Sequence, residues 1–321
     1  MTGASIEQAA ALLKAGQLVA IPTETVYGLA GNALDESAVT AIFSVKQRPT
    51  FDPLIVHVAD AESLEAYCLD MPGEARQLAQ AFMPGPLTLL LPKKDIMPDL
   101  VTAGSPLVAL RIPAHPLTHA LLAMLPFPLA APSANPFGYI SPTTAQHVAD
   151  QLGDRIPYIL DGGPCEIGLE STIVGWDESG RPVVYRKGGI AVEAITALIG
   201  PVEVRLHSSS NPLAPGMLKS HYAPRIPLVL GDIDAMIRQH SDKQLAILSF
   251  ASSFPTVSPD HQITLSPAGD IREAARRLFS AMRYLDSLPV DIILAELLPE
   301  EDLGRAVNDR LRRAAVGEKE E

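Results

Sequence analysis

The fold of this chain is constrained most by a series of short, almost wholly apolar runs that alternate with helical patterns. These runs read LIVHV (54–58), LTLLL (87–91), LVALRI (107–112) and PLAAPSA (128–134). Strands buried on both faces of a sheet are continuous apolar runs of this length. Helical patterns lie among them, as in SIEQAAALLKAGQ (5–17), where Ser5 is the predicted N-cap. The alternation predicts an α/β fold.

The domain organisation is indicated by a change of composition near residue 206. Residues 206–227 are rich in Ser, Pro and Gly and show no period, which is typical of a linker. Strand-like and helical patterns then alternate again over a shorter length. We therefore expect a first domain over 1–205, a linker over 206–225, and a smaller, mostly parallel α/β domain over 226–321.

Composition and charge restrict the class of protein. Hydrophobic residues make up 47% of the chain, which is enough for a sizeable core. The net charge of −12 argues against broad binding to nucleic-acid phosphates, although it does not exclude a local basic cleft. Cys68 and Cys165 are far apart and suit a reducing cytosol. With no signal-peptide pattern and no run of the ~18 apolar residues that a membrane span needs, we expect a soluble, cytoplasmic protein.

Two cations stand together in VKQRPTFDPLIVHV (45–58), where Lys46 and Arg48 end a predicted helix just before Pro49. In one interpretation they only complement the negative end of the helix dipole. In another they form an anion clamp, in which lysine acts as a point charge and arginine as a rigid fork on a polyphosphate. The pair by itself does not decide between these interpretations.

Four further stretches place hydroxyls, an amide or an arginine where predicted strands begin or end. The side chains are Thr23, Thr25, Arg111, Ser133, Asn135, Ser141, Ser171 and Thr172. Turn and capping chemistry explains any single one of these loops better than a ligand does. Together they favour a ligand site, because open α/β sheets bind ligands where loops leave the strands. A cation at the end of an apolar strand, such as Arg111, is costly unless it meets an anion.

The sequence contains none of the standard motifs GxxxxGK[ST], GxGxxG, GxSxG and HExxH. His115 and His119 have an i, i+4 spacing, but Pro116 intervenes and no third ligand is evident, so we expect no protein-bound metal. A nucleotide site would then be built from side chains, and Mg²⁺ would arrive on the nucleotide phosphates.

Five segments carry a family resemblance. They read IPTETVYGL (21–29), KQRPTFDPLIVHV (46–58), PSAN (132–135), GLESTIV (168–174) and YRKGGI (185–190). Together they closely resemble the YrdC-like family of L-threonylcarbamoyladenylate synthases, over residues 6–200. APGMLKSHYAP (214–224) and the region after it resemble the longer, two-domain branch. The resemblance implies a YrdC-like twisted open sheet with flanking helices, followed by a smaller Rossmann-like α/β domain.

The resemblance also implies a reaction. L-threonine, bicarbonate and ATP would give threonylcarbamoyl-AMP and pyrophosphate, a nucleotidyl transfer that supplies the threonylcarbamoyladenosine (t6A) modification of tRNA. The tRNA threonylcarbamoyl-transferase machinery is the implied partner. Little covalent work falls on the protein, which must neutralise phosphate charge and align the carbamate with the α-phosphate.

Roles for individual residues follow from the same resemblance. Lys46 and Arg48 are the expected catalytic groups, which grip the triphosphate as pyrophosphate departs. The further expected ATP contacts are Asp52, Ser133, Asn135, Ser141, Arg186, His221 and Tyr222. The expected threonine pocket consists of Thr25, His57, Arg111, Ala131 and Ser171. In it, Arg111 would take the threonine carboxylate, whereas periodicity alone would make His57 a core residue.

Several segments depart from the family pattern; RKGG (186–189) in place of RPG is a mild change, and two other departures bear on expected contacts. Asp52 replaces the usual Asn, and a carboxylate near a triphosphate is repulsive unless it meets Mg²⁺ or a cation. The linker lies over the active site as a lid in such enzymes, and here Leu218, Lys219 and Ser220 replace its basic and aromatic centre. His221 and Tyr222 are therefore the lid contacts that we expect.

Two other functions compete with this interpretation. A double-stranded RNA-binding or ribosome-associated module would use the concave surface of such a sheet, but the acidic net charge and the many small-ligand groups disfavour it. A hydrogenase-maturation carbamoyl transferase embeds a similar domain, but those chains add zinc-finger cysteines that this sequence lacks. The C-terminal domain is expected either to bind a partner or to anchor the linker.

Overall fold

The computed structural model describes residues 1–206, 213–217 and 221–315. The chain divides into two compact units. The first comprises Met1–Phe137, Pro142–Glu166 and Glu170–Leu218, and the second comprises Gly138–Ser141, Ile167–Leu169 and Lys219–Glu321. Two short segments that precede the linker in sequence thus belong to the second unit.

The first unit is built on one large mixed sheet. Its strands are β1 (Thr2–Gly3), β2 (Val19–Ile21), β3 (Gly28–Asn32), β4 (Ile55–His57), β5 (Leu87–Pro92), β6 (Leu107–Arg111), β7 (Leu129–Ala130), β8 (Tyr158–Leu160), β9 (Thr172–Trp176), β10 (Pro182–Arg186) and β11 (Glu203–Val204). Among the described residues they lie in the order β1-β8-β2-β3-β7-β4-β6-β5-β9-β10-β11. The apolar runs of the sequence form β4 to β7, which are almost wholly buried, so the predicted buried strands are confirmed.

Helices of the first unit begin in some cases, but not in all, at a residue whose side chain caps them. They are α1 (Ile6–Lys14), α2 (Glu36–Lys46), α3 (Ala61–Tyr67), α4 (Gly73–Phe82), α5 (Asp99–Thr102), α6 (Pro116–Ala123), α7 (Ala145–Leu152) and α8 (Val192–Ile199). The Ser5 hydroxyl accepts from the N–H of Gln8 at the start of α1, which confirms the predicted cap. The Asp35 carboxylate accepts from the N–H of Ser37 and caps α2 in the same way.

One edge of the sheet gathers the ends of five neighbouring strands. The carboxyl ends of β4 and β6 lie side by side, with His57 opposite Arg111. β5 runs antiparallel to β6 and parallel to β9, so Leu87 at its start lies beside Thr172 at the same edge. β10 is antiparallel to β9 and ends there at Arg186. Strand pairing alone therefore brings polar residues from distant parts of the sequence to one edge.

The second unit contains a smaller parallel sheet. Its strands are β12 (Leu228–Leu230), β13 (Leu245–Ser249), β14 (Gln262–Thr264) and β15 (Ile292–Ala295), and its helices are α9 (Ile233–Gln239), α10 (Ile271–Asp286) and α11 (Gly304–Ala315). The strands pair in parallel in the order β12-β15-β13-β14, which confirms the predicted α/β arrangement. Within the described ranges of either unit, no helix combines the length and the apolar character that a bilayer span requires.

Candidate active site

Lys46 lies where α2 meets the PSAN loop. It is the last residue of α2, and only 1% of its surface is exposed. Its ammonium donates to the carbonyl oxygens of Ser133 (2.6 Å) and Asn135 (2.5 Å). Its own carbonyl accepts from the N–H of Phe137 (2.8 Å). The Lys-x-Arg and Ser-x-Asn segments of the sequence therefore form one cluster.

Arg48 is turned away from the helix by Gln47, whose φ of 54° is left-handed and ends α2. The Arg48 guanidinium lies 2.9 Å from the Asp52 carboxylate and donates to the carbonyls of Asp52 (3.1 Å) and Pro53 (2.8 Å). Asp52 thus meets a cation inside the protein, which is one of the two conditions under which a carboxylate can lie near a triphosphate. Whether Asp52 touches nucleotide stays a prediction.

The electrostatics of the Lys46 cluster favour an anion. Burial lowers the pKa of the Lys46 ammonium well below its ordinary value, and the positive charge of Arg48 lowers it further, while Asp52 opposes both effects. A polyanion placed close to Lys46 would favour its charged form. The cluster is therefore a place where an anionic ligand gains affinity by relieving an electrostatic penalty that the protein already carries.

Arg111, at the end of β6, pairs with Glu24, an anionic partner that the sequence did not predict. Its guanidinium is buried, lies 2.6 Å from the Glu24 carboxylate and donates to the Gly85 carbonyl (3.2 Å). The second oxygen of Glu24 accepts from the N–H of Ala114 (3.1 Å). Glu24 stands between Thr23 and Thr25, the two residues singled out in that loop. The requirement of a buried arginine for an anion was the signal that could have identified it.

His57 lies beside Arg111 in the parallel pairing of β4 with β6. Its complete burial lowers the pKa of the imidazole to about 3, and the positive charge of Arg111 contributes to the decrease. The ring is therefore neutral at physiological pH. It can exchange hydrogen bonds with a ligand, but it cannot act as a cation.

Thr25 and Ala131, two further residues expected in the threonine pocket, have defined hydrogen-bonding roles. Thr23 donates its one hydroxyl proton to the carbonyl of Val26 (2.6 Å), so Thr25 is the donor in the 2.7 Å contact between the two threonine hydroxyls. The Thr25 oxygen can then accept a hydrogen bond from a ligand. Ala131 donates its N–H to the carbonyl of Ile55 (3.0 Å), which makes its carbonyl the candidate ligand contact.

Ser171 and Arg186 form a third cluster, which joins a residue expected in the threonine pocket to one expected at the nucleotide. The guanidinium of Arg186 donates to the Ser171 carbonyl (3.0 Å), to its hydroxyl (3.0 Å) and to the carbonyl of Pro215 (3.3 Å). The Ser171 hydroxyl also lies 2.6 Å from that of Thr88. Sequence reasoning missed Thr88 and Pro215. Thr88 sits at an interior strand position that reads as packing, and Pro215 contributes only its backbone.

Ser141, His221 and Tyr222 belong to the second unit. Tyr222 has a left-handed φ of 65° and is buried with its ring stacked on Phe279 at 5.5 Å. The guanidinium carbons of Arg310 and Arg313 lie 5.4 and 5.0 Å from the same ring. These contacts make Tyr222 an anchor of the second unit, and its expected contact with ATP stays a prediction.

The replaced linker residues Leu218, Lys219 and Ser220 lie outside the described residues. His115 and His119, the spaced pair of the sequence, lie on either side of the start of α6, and the His115 ring lies 3.3 Å from the carbonyl of Gly162. Within the described ranges no group of three or more His, Cys, Asp or Glu side chains could hold a metal ion.

Comparison with known proteins assigns both parts of the chain. Residues 11–188 match the model of the family that includes Sua5, YciO and YrdC, described as "Telomere recombination". Residues 190–316 match the model described as "Threonylcarbamoyl-AMP synthase, C-terminal domain". This second match confirms the resemblance to the longer, two-domain branch.

Relatives of similar length carry the same description. A threonylcarbamoyl-AMP synthase of Pyrococcus abyssi is 42% identical over 97% of this chain and 94% of its own length. One of Bacillus subtilis is 42% identical over 97% of this chain and 93% of its own. The crystal structure of P. abyssi Sua5 complexed with L-threonine superposes with a TM-score of 0.91 at 41% identity, covering 97% of this chain and 94% of that one.

The low pKa of His57 predicts a specific loss of stability in acid. Because the folded protein holds this imidazole neutral and the unfolded chain protonates it below its ordinary pKa of 6.5, the contribution to stability is present above pH 6.5 and is lost as the pH falls toward 3. The slope from this one group is ~1.4 kcal/mol per pH unit. Urea unfolding at several pH values should show a shallower acid loss for His57→Gln than for the wild type.

His119 provides a control for that comparison, because His119→Gln removes an imidazole that is exposed rather than buried. An acid slope for His57→Gln equal to that of the wild type would contradict the neutral, buried state of His57.

Proposed function

The chain belongs to the Sua5/YciO/YrdC family of threonylcarbamoyl-AMP synthases, and we propose that its described clusters divide the work of that synthesis among them. L-threonine, bicarbonate and ATP are converted to threonylcarbamoyl-AMP and pyrophosphate, and the product supplies the t6A modification of tRNA. The observation that supports this division best is the meeting of Lys46 with the PSAN loop, because it joins the two signature segments in one buried cationic centre.

Lys46 and Arg48 act on the triphosphate. The carbamate formed from the threonine amine and bicarbonate attacks the α-phosphate, and pyrophosphate leaves on the opposite side. Negative charge grows on the leaving oxygens during this step, so a buried ammonium and a guanidinium stabilise the transition state more than the ground state. Asn135 and Ser133 lie in the same cluster, and we assign them to the nucleotide together with Arg186. Ser141, His221, Tyr222 and Asp52 remain proposed nucleotide contacts.

Arg111, His57, Thr25, Ala131 and Ser171 bind threonine. Arg111 takes the carboxylate, and its guanidinium also stays paired with the Glu24 carboxylate. The Thr25 oxygen and the Ala131 carbonyl accept hydrogen bonds from the ammonium or the hydroxyl of the substrate. A neutral His57 exchanges a hydrogen bond with the hydroxyl and adds no charge that would repel the ammonium. This arrangement explains how a side-chain hydroxyl could be selected.

Mg²⁺ enters this scheme with ATP, bound by the phosphates. The carboxylates of Asp52 and Glu24 are each within 3 Å of an arginine, at 2.9 and 2.6 Å, which supports a metal held by the substrate rather than by a carboxylate cage.

Pyrophosphate release tests the proposed function directly. The chain is mixed with MgATP and bicarbonate, and release is followed with L-threonine, with L-serine and with allo-threonine. Release should depend on L-threonine and should be lost without bicarbonate. Pyrophosphate release that does not depend on threonine would contradict the proposal, and so would the absence of pyrophosphate release from folded protein.

Substitution of Lys46 separates a phosphate role from a threonine role. Lys46→Ala should lower kcat by about 10²- to 10³-fold, the size of effect seen when one charge-stabilising donor is removed, and leave the KM for threonine nearly unchanged.

The lowered pKa of Lys46 predicts a pH dependence of ATP affinity. In the wild type, ATP affinity should weaken as the pH rises, at a pH well below that at which an ordinary lysine loses its proton, and Lys46→Ala should lose this dependence. Steady-state kinetics and calorimetry across pH would measure both effects.

Lys14→Ala, at the exposed end of α1, is the matched control for Lys46→Ala. A loss confined to threonine affinity would remove Lys46 from the phosphate role.

Substitution of Arg111 probes the threonine carboxylate. Arg111→Lys keeps the charge that Glu24 requires but loses the two-pronged contact, so the KM for threonine should rise about tenfold while the KM for ATP stays within a factor of about two. Arg76→Ala, an exposed arginine paired with Glu65, is the control. Equal changes in both KM values, or none, would place Arg111 outside the pocket.

A further inference from the structure

The four-residue segment Gly138–Ser141 is held by α10 of the second unit. The guanidinium of Arg283 donates to the carbonyls of Ile140 (2.5 Å) and Ser141 (3.3 Å). It also lies over the ring of Tyr139, 5.1 Å from the centroid. One α10 side chain therefore grips three consecutive residues of the segment.

Asp286, the last residue of α10, holds the same segment from a second point. Its fully buried carboxylate accepts from the hydroxyl of Tyr139 (2.6 Å), from the N–H of Ile226 (2.9 Å) and from the guanidinium of Arg225 (3.1 Å). Burial and the bond to Asp286 raise the pKa of the Tyr139 phenol to about 12, so the phenol remains a donor throughout the physiological range.

The end of the linker and the residue after it are fixed at the same place. Ile226 and Arg225 share the Asp286 carboxylate with Tyr139, and the N–H of Ala223 donates to the carbonyl of Gly138 (2.9 Å). Because the Arg225 side chain is 73% exposed, its ion pair contributes little, and the buried phenol and backbone donors carry the attachment.

A second short segment also approaches α10. A Cβ on Gly168 would lie 2.4 Å from the carbonyl oxygen of Arg276, and the φ of Gly168 is +73°. Only glycine fits that position. Ser171 follows three residues later in the GLEST sequence. Both segments that join the second unit therefore come from loops that carry proposed substrate contacts.

We propose that Arg283, Tyr139 and Asp286 are positioning residues, which hold the segment carrying Ser141 in the conformation that binds ATP. The inference rests on the proposed function, because Ser141 is assigned to the nucleotide there. An unrestrained four-residue loop would lose conformational entropy each time a nucleotide bound, and the α10 contacts fix that loop in advance. The second unit then contributes to the synthesis by fixing the conformation of Gly138–Ser141. Arg283, Tyr139 and Asp286 need not touch a reacting atom.

Two substitutions test the attachment. Tyr139→Phe removes only the hydroxyl bound to Asp286, and Arg283→Gln removes the charged grip. Each should raise the KM for ATP about three- to tenfold, the range expected for the loss of one or two hydrogen bonds, while the KM for threonine stays within about twofold. Arg283→Lys, which keeps the charge and one donor, should recover part of the ATP affinity.

The helix offers matched controls for both. Tyr284→Phe removes a hydroxyl that donates to the carbonyl of Asp260 (3.0 Å), and Arg277→Gln removes a donor to the carbonyl of Leu265 (2.9 Å). Both residues lie on α10, and both variants should keep wild-type kinetics. Thermal unfolding of all five variants would show whether any change in KM follows a general loss of stability.

Calorimetric titration with a non-hydrolysable ATP analogue distinguishes failure of this inference from failure of the proposed function. Weaker analogue binding by Tyr139→Phe and Arg283→Gln than by their controls supports the inference, whatever the turnover. Binding equal to that of the controls overturns it, even if the wild type makes threonylcarbamoyl-AMP. A parallel rise in the KM for threonine, with lowered thermal stability, also overturns it, because the contacts would then only stabilise the fold.

Discussion

The two hydrogen bonds from the Lys46 ammonium to the carbonyls of Ser133 and Asn135 hold the proposed catalytic centre together. A buried ammonium is costly without oxygen partners, so the end of α2 and the PSAN loop cannot separate without exposing an unsatisfied charge. The return bond from Phe137 to the Lys46 carbonyl closes the arrangement. The position of the loop after β7 is therefore set by the electrostatic requirements of one side chain on a distant helix.

The same solution is used for each of the buried cations of the site. Arg48 faces Asp52, Arg111 faces Glu24, and Arg186 faces the Ser171 hydroxyl and two backbone carbonyls. In the proposed function each cation is thus oriented before any substrate arrives, and little reorganisation would remain for the reaction itself. Where the partner within the protein is a carboxylate, it also neutralises part of the positive charge of the arginine. A bound substrate anion would then neutralise the remainder.

The fold class could be predicted from sequence, and so could the segments that form the candidate site, because both rest on local patterns; the roles of the individual site residues stay predictions. The apolar runs have the length and continuity of buried strands, and the Lys-x-Arg and Ser-x-Asn segments identify a family that the comparisons confirm. That membership favours the synthase over an RNA-binding module. Glu24 and Thr88 could not be found in this way. Their partners, Arg111 and Ser171, lie more than 80 residues away in the chain, and neither periodicity nor propensity reports such long-range pairing. The assignment of Gly138–Ser141 to the second unit was missed for the same reason.

The burial of the four cations determines which anions they can meet. Lys46, Arg48, Arg111 and Arg186 are exposed by 1%, 8%, 4% and 6%, in a chain whose net charge is −12. A polynucleotide backbone that stays at the protein surface experiences mainly the negative charge of the whole molecule. In the proposed function a single nucleotide reaches the buried Lys46, Arg48 and Arg186, where the local charge is positive. We therefore propose that this enzyme, whose product is destined for tRNA, favours a mononucleotide over the nucleic acid through the burial of these cations, before any base or sugar is recognised.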